Sequence, residues 1–148
     1  MSKAPEGISG RPRDQQNPLV MLKEAQSRFG YLRRELLVEV ANSLGISTGE
    51  VYGVATFYSF LSTRPQGRNV IMVCKSLPCF LKSSQMIIDA VERRIGIGPG
   101  QTTPDGRFSL ELTNCIGACD KAPAMMINHQ VYGDLTARKI SRILKACE

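Results

Sequence analysis

The chain has 148 residues, 43% of them hydrophobic and 22% charged, an ordinary globular composition that excludes global disorder. Its net charge of +6 comes from 19 Lys and Arg residues that are scattered and never run longer than two, a diffuse basic surface rather than a nucleic-acid footprint, so no nucleic-acid partner is expected. No apolar stretch approaches the ~18 residues that cross a bilayer, and Lys3, Pro5 and Glu6 stand where an export signal would be apolar, so a cytoplasmic chain with no direct membrane insertion is expected.

The single histidine, His129, excludes sites that need two imidazoles. Chemistry must therefore run mainly on sulfur, carboxylates or backbone.

Residues 1–16 are rich in Gly and Pro without apolar periodicity and read as a flexible tail. Residues 17–62 read as a helical region. Asn17 offers an N-cap with Pro18 in the first helical position, and Leu22, Ala25 and Phe29 follow at helical spacing before Gly30. A second helix is predicted over 34–44, with Leu36, Leu37, Val40, Ala41 and Leu44 as its stripe and Gly45 as its stop. A third begins at the capping box Ser47-Thr48-Gly49-Glu50 and places Val51, Val54, Ala55, Tyr58 and Leu61 on one face. Such short helices need one another, or a partner, to bury their stripes.

Residues 63–67, with Pro65 and Gly67, read as a linker, and residues 68–148 as a second domain of mixed pattern. Asn69–Cys74 is a predicted buried strand, and a single helix is predicted over about 79–95, ended by Gly96. Phe108, Leu110 and Leu112 alternate with polar residues as a half-buried strand does. Met125–Ile127 and Val131–Tyr132 flank a hairpin turn, and Thr136 caps a last helix carrying Ile140, Ile143 and Leu144. Strand, helix, three strands and a helix suit a small sheet with helices against it, an α/β (α+β) class.

Four of the five cysteines fall into two clusters: Cys74 and Cys79 as C-x4-C, and Cys115 and Cys119 as C-x3-C. Each pair sits where a predicted strand gives way to a loop, so both loops can leave the same end of the sheet and bring four sulfurs together. Four thiolates suit soft metals, and ligand type alone leaves zinc and an iron–sulfur cluster both open. Buried structural cysteines would be scattered on apolar faces rather than paired in Gly- and Pro-containing loops. Cys147 is of that ordinary kind, because it continues the stripe of Ile140, Ile143 and Leu144. Lys75, Lys82 and Lys121 flank the pairs and would offset thiolate charge if they face it. Gly96-Ile97-Gly98-Pro99-Gly100 follows a helix rather than a strand and holds a proline, so it is not a dinucleotide turn.

Taken in order, the two cysteine pairs, Gly53-Val54-Ala55-Thr56-Phe57-Tyr58, Thr102-Thr103-Pro104-Asp105-Gly106-Arg107-Phe108, Asn114-Cys115-Ile116-Gly117-Ala118-Cys119 and Tyr132-Gly133-Asp134-Leu135-Thr136 resemble the small thioredoxin-like [2Fe–2S] subunit of NADH:quinone oxidoreductase (complex I). The same family supplies a subunit to NAD-linked, often electron-bifurcating, hydrogenases and formate dehydrogenases. The likeness runs from about Pro18 to the C-terminus. It implies an N-terminal helical bundle followed by a thioredoxin-like [2Fe–2S] ferredoxin domain, with one cluster held by Cys74, Cys79, Cys115 and Cys119. It also implies a partner flavoprotein carrying FMN and the NAD(H) site, within a larger complex of further Fe–S subunits. The isolated chain is expected to be inactive with NADH.

The first loop departs from the family's pattern: Ser76-Leu77-Pro78 and Phe80 stand where small residues and a His are usual. The hairpin carries Asn128-His129 in place of Asn-Gly, so a non-glycine residue must take a turn position that favours positive φ. A free-standing ferredoxin and a structural zinc module are the competing readings.

Overall fold

The computed structural model describes residues 17–147; the tail expected over residues 1–16 lies outside them. The chain divides into two compact units, Met1–Pro65 and Gln66–Glu148.

In the first unit, helix α1 (Pro18–Phe29) starts where the Asn17 side chain accepts the Leu19 N–H at 2.9 Å, with Pro18 next in line. Helix α2 (Arg34–Leu44) closes on Gly45. Helix α3 (Thr48–Phe57) opens on a reciprocal capping box: the Glu50 N–H reaches Ser47 Oγ at 3.2 Å, and Glu50 Oε2 accepts the Ser47 N–H at 2.9 Å. The Ser47 N–H, and then the Ser47 hydroxyl donating to the same oxygen at 2.8 Å, hold the Glu50 carboxyl below its usual range. Leu22, Leu32, Leu37, Val40, Val51 and Ala55 bury together, so the three stripes close on one another.

The third helix ends at Phe57, four residues short of the Leu61 included in its predicted stripe. Tyr58 turns the backbone extended, and the Gln26 amide clips the segment that follows, donating to the Phe60 carbonyl and accepting the Ser62 N–H, both at 2.6 Å. Leu61 is buried all the same, but as part of this strap. Outside the shared core, Tyr52 is 51% and Phe57 78% exposed.

The second unit is a five-stranded sheet in the order β2-β3-β1-β4-β5. Its strands are β1 (Asn69–Cys74), β2 (Gln101–Thr102), β3 (Phe108–Thr113), β4 (Met125–Ile127) and β5 (Gln130–Tyr132). Strands β1 and β3 run parallel, from Asn69 opposite Phe108 to Cys74 opposite Thr113; the other pairings are antiparallel. Ile71, Val73, Leu110, Met125 and Ile127 share one core with Ile87, Ile88 and Val91 of α5 (Ser84–Ile95) and Ile140 and Leu144 of α6 (Ala137–Ala146).

The single helix expected over 79–95 is two. A short α4 (Leu77–Leu81) is separated from α5 by Lys82 and Ser83, and Ser83 takes a left-handed φ of 63°. Pro78 belongs to the first turn of α4, where a missing N–H costs nothing. Strand β2 was not expected; two residues are too few for an alternating pattern to register. In the hairpin only Asn128 of the two turn residues takes a positive φ, 54°. Its side-chain oxygen accepts the Val70 N–H, and its own N–H reaches the Val70 carbonyl, each at 3.0 Å. Asparagine tolerates this conformation, and His129 is spared it.

Leu110, fully buried at the centre of the sheet core, reports on this packing. Leu110→Ala is expected to cost about 2–5 kcal/mol through lost burial and a residual cavity. Val131→Ala, on an exposed β5 residue, should stay within about 0.5 kcal/mol. Denaturant unfolding of both variants checks the contrast.

Candidate metal centre

The parallel pairing of β1 with β3 places the two cysteine loops side by side. Cys74 is the last residue of β1 and lies opposite Thr113, the last of β3; the ladder runs one step further, with the Lys75 N–H donating to the Thr113 carbonyl at 2.9 Å. Cys115 follows two residues after that strand end, and Cys79 lies in the middle of α4. Cys119 opens a 3-10 turn over Cys119–Lys121.

The four thiols stand as two pairs. Cys115 Sγ and Cys119 Sγ are 3.4 Å apart, and Cys79 is hydrogen-bonded to Cys74. The pairs are near enough to feel each other's charge: Cys74 adds to the upward push on Cys119, and Cys119 to that on Cys79. Among the described residues no group of three or more His, Cys, Asp or Glu is drawn together as a ready site for one ion. Two pairs of sulfur donors match in number and kind what a two-iron cluster takes, so the residues present fit such a group.

The site has a dry wall and an open one. Cys74 and Cys79 are each 1% exposed and pack with Ala122 and Ala124, with Ile116 and Ala118 at the margin. Cys115 and Cys119 are exposed. Burial pushes the Cys79 thiol above its ordinary value, and the Cys74 hydrogen bond adds to this, against the pull of the Ala124 N–H on its sulfur.

Cys115 is lowered, first by the Gly117 N–H, which donates to its sulfur at 3.3 Å, and then by Cys119. Cys119 is raised because it shares its hydrogen bond with Cys115 and lies in that sulfur's field. Gly117 has φ 79°, a conformation that L side chains rarely adopt, and this turn aims its N–H back at Cys115. Backbone N–H groups directed at ligand sulfurs are a recognised means of setting a cluster's potential.

Cys147 lies elsewhere. It caps α6 and packs against the sheet core, and its carbonyl accepts from Asn69 Nδ2 at 3.3 Å. Lys75, Lys82 and Lys121 are exposed. Two features carry no signature in the sequence. Ala124 links the buried pair, since its N–H reaches Cys79 and its carbonyl accepts the Cys74 N–H at 3.3 Å. Small residues such as Ala122 and Ala124 are mute without the sheet register. Leu77, Phe80 and Leu81 point outward from α4 at 67%, 64% and 72% exposure while Cys79 between them is buried; five residues are too few to show that amphipathic division.

The model of the family described as thioredoxin-like [2Fe–2S] ferredoxin matches residues 4–148. The HndA subunit of the NADP-reducing hydrogenase of Solidesulfovibrio fructosivorans is 36% identical over 137 residues, 93% of this chain and 80% of the relative. A subunit of the NADH-quinone oxidoreductase of Escherichia coli is 43% identical over 124 residues, 84% of this chain and 75% of the relative; its counterpart in Pseudomonas aeruginosa is 39% identical over 125 residues, with coverage of 84% and 75%. Among solved structures, an NAD+-reducing [NiFe]-hydrogenase in the H2-reduced state superposes with a TM-score of 0.73 at 25% identity. That match covers 90% of this chain and 23% of the hydrogenase chain, so the present chain spans about a quarter of it. With cysteine pairs at adjacent strand ends and a family match over nearly its whole length, the chain belongs to the thioredoxin-like [2Fe–2S] ferredoxins.

Proposed function

We propose that Cys74, Cys79, Cys115 and Cys119 together hold one [2Fe–2S] cluster, Cys74 and Cys79 on one iron and Cys115 and Cys119 on the other. The chain then serves as an electron-transfer subunit of a multi-subunit NAD(H)-dependent oxidoreductase. The observation that carries this reading is the pairing of Cys74 with Thr113 across β1 and β3, which starts the two cysteine-bearing loops side by side at one end of the sheet. The bound cluster supplies one-electron acceptance and donation. Within the chain, Cys74 and Cys79 shield one side of the site from water, and the Gly117 and Ala124 N–H groups stabilise charge on the sulfurs. The exposed Cys115 and Cys119 side gives an outside partner access.

That partner is read as a flavoprotein with FMN and the NAD(H) site, as in complex I or an NAD(P)-linked hydrogenase, beside further Fe–S subunits. The relatives' names, subunits of an NADH-quinone oxidoreductase and of an NADP-reducing hydrogenase, support the setting. A flavin's two-electron hydride chemistry needs a one-electron outlet, which a [2Fe–2S] centre provides. Residues 68–148 are read as the cluster domain and 63–67 as its linker. Residues 17–62 are read as the docking element, since Tyr52, Phe57 and Phe60 leave aromatic surface outside a core that is already closed. Cytoplasmic placement accords with this reading, because free thiols persist in a reducing compartment.

Single Cys→Ser variants at 74, 79, 115 and 119 are expected to lose or alter the visible and EPR spectra of the cluster, whereas Cys147→Ala keeps them. A colourless, zinc-loaded wild-type chain would end the reading. NADH should reduce the cluster only when the flavoprotein partner is present, as followed by anaerobic bleaching of the visible absorbance. Phe57→Asp should weaken co-purification with that partner by roughly 10–100-fold, the scale of an aromatic anchor, with the cluster spectrum unchanged.

A further inference from the structure

The segment that follows Cys119 is held from behind by the strap 132–136. Asp134 donates its N–H to the Lys121 carbonyl at 2.7 Å, and Leu135 donates to the Pro123 carbonyl at 3.2 Å. Leu135 is buried, which anchors the strap in the core of the second unit. The start of α6 grips the other side. Thr136 Oγ1 accepts the Lys139 N–H at 3.3 Å, and Lys139 Nζ reaches back to the Gly133 carbonyl at 2.6 Å.

The strapped segment touches three of the four ligand positions. The Ala122 N–H is bonded to the Cys119 carbonyl at 3.4 Å, and the Lys121 N–H to the Ala118 carbonyl at 3.1 Å, so the 3-10 turn that bears Cys119 moves with residues 121 and 122. Ala124 then meets the Cys79 sulfur through its N–H and the Cys74 N–H through its carbonyl. A displacement of Lys121–Ala124 therefore reaches Cys119 directly and Cys74 and Cys79 through Ala124.

At Gly133 the strap lies against this segment with no room for a side chain. A Cβ there would overlap the Lys121 Cβ and stand 2.8 Å from the Lys121 carbonyl oxygen. Its φ is not in the left-handed region, so glycine is required for close approach rather than for backbone conformation.

We infer that Gly133 is a positioning residue for the cluster: its missing side chain lets the strap seat residues 121–124 so that Cys119, and Cys74 through its bond to the Ala124 carbonyl, take the places the cluster requires. The inference rests on the proposed ligand set. Hydrogen bonds to ligand sulfurs and the packing around them set the potential of such centres, so the consequence of moving this segment is spectroscopic and electrochemical as well as structural.

The test uses the full-length chain with its cluster assembled, reading the EPR spectrum of the reduced state, the midpoint potential and the melting temperature. Gly133→Ala is expected to shift both the g-values and the potential beyond replicate scatter, and Gly133→Val to shift them further. Leu110→Ala, which destabilises the same unit through its buried core and makes none of the strap's hydrogen bonds, is expected to lower the melting temperature and keep the wild-type spectrum and potential. Gly133→Ala with both wild-type g-values and wild-type potential overturns the inference, whatever its stability. So does a Leu110→Ala variant that shifts them as much. Should Gly133→Ala fail to accumulate, Lys139→Met decides, because it frees the Gly133 carbonyl without adding an atom against Lys121; a smaller spectral shift supports the role and an unchanged spectrum overturns it. A wild-type chain lacking a [2Fe–2S] spectrum overturns the ligand set and this inference with it. A normal wild-type spectrum with an indifferent Gly133→Ala removes only the role of Gly133.

Discussion

The parallel alignment of β1 with β3 is the constraint on which the rest of the second unit depends. Parallel strands end on the same side, so the loops that follow them are neighbours however far apart they lie in sequence. Cys74 opposite Thr113 fixes how closely they meet. A register slip of one residue would turn Cys74 into the helix-covered core and carry Val73 out of it. The alternation of Ile71 and Val73 toward that core, with Met72 and Cys74 on the other face, guards against such a slip, so the hydrophobic pattern that stabilises the sheet also aims the first cysteine of the site.

The centre is unequal on its two sides, and the inequality has a use. Cys74 and Cys79 lie in an alanine-lined wall, while Cys115 and Cys119 face out. Removing water from the Cys74 and Cys79 side strengthens the local dipole of the Ala124 N–H there, whereas the Gly117 N–H acts on the water-facing side. Rigidity comes from behind, through the strap at Gly133 and Asp134, rather than from the ligand loops themselves.

The unusual first loop is accommodated by folding into a helix. With Leu77 and Pro78 in its first turn, α4 winds so that only Cys79 turns inward, and Leu77, Phe80 and Leu81 are left outside. The bulk that small residues would have avoided is thus turned away from the cysteines. The cost appears at Ser83, whose left-handed backbone lets α5 begin afresh on its own axis.

Much of this was legible in the residues alone. The Asn17, Ser47 and Thr136 caps, the stripe of α2 and the strand at Phe108–Thr113 are local signals, because capping and periodicity act over four or five neighbours; that strand is not half-buried as its alternation predicts, since Ser109 and Thr113 are buried as well, which depends on what covers the other face. The two cysteine spacings pointed to a shared sulfur site because each pair is itself local. The end of α3 was not legible, since Gln26, more than thirty residues earlier, supplies the bonds that stop it. Nor was the division of α4 from α5, the two-residue β2, or the reach of Ala124 to both buried cysteines. Gly133 was visible in the sequence as part of a motif, but its reason was not: a glycine needed for contact with Lys121 carries no local mark, because the atom it makes room for arrives only when the sheet brings two distant turns together.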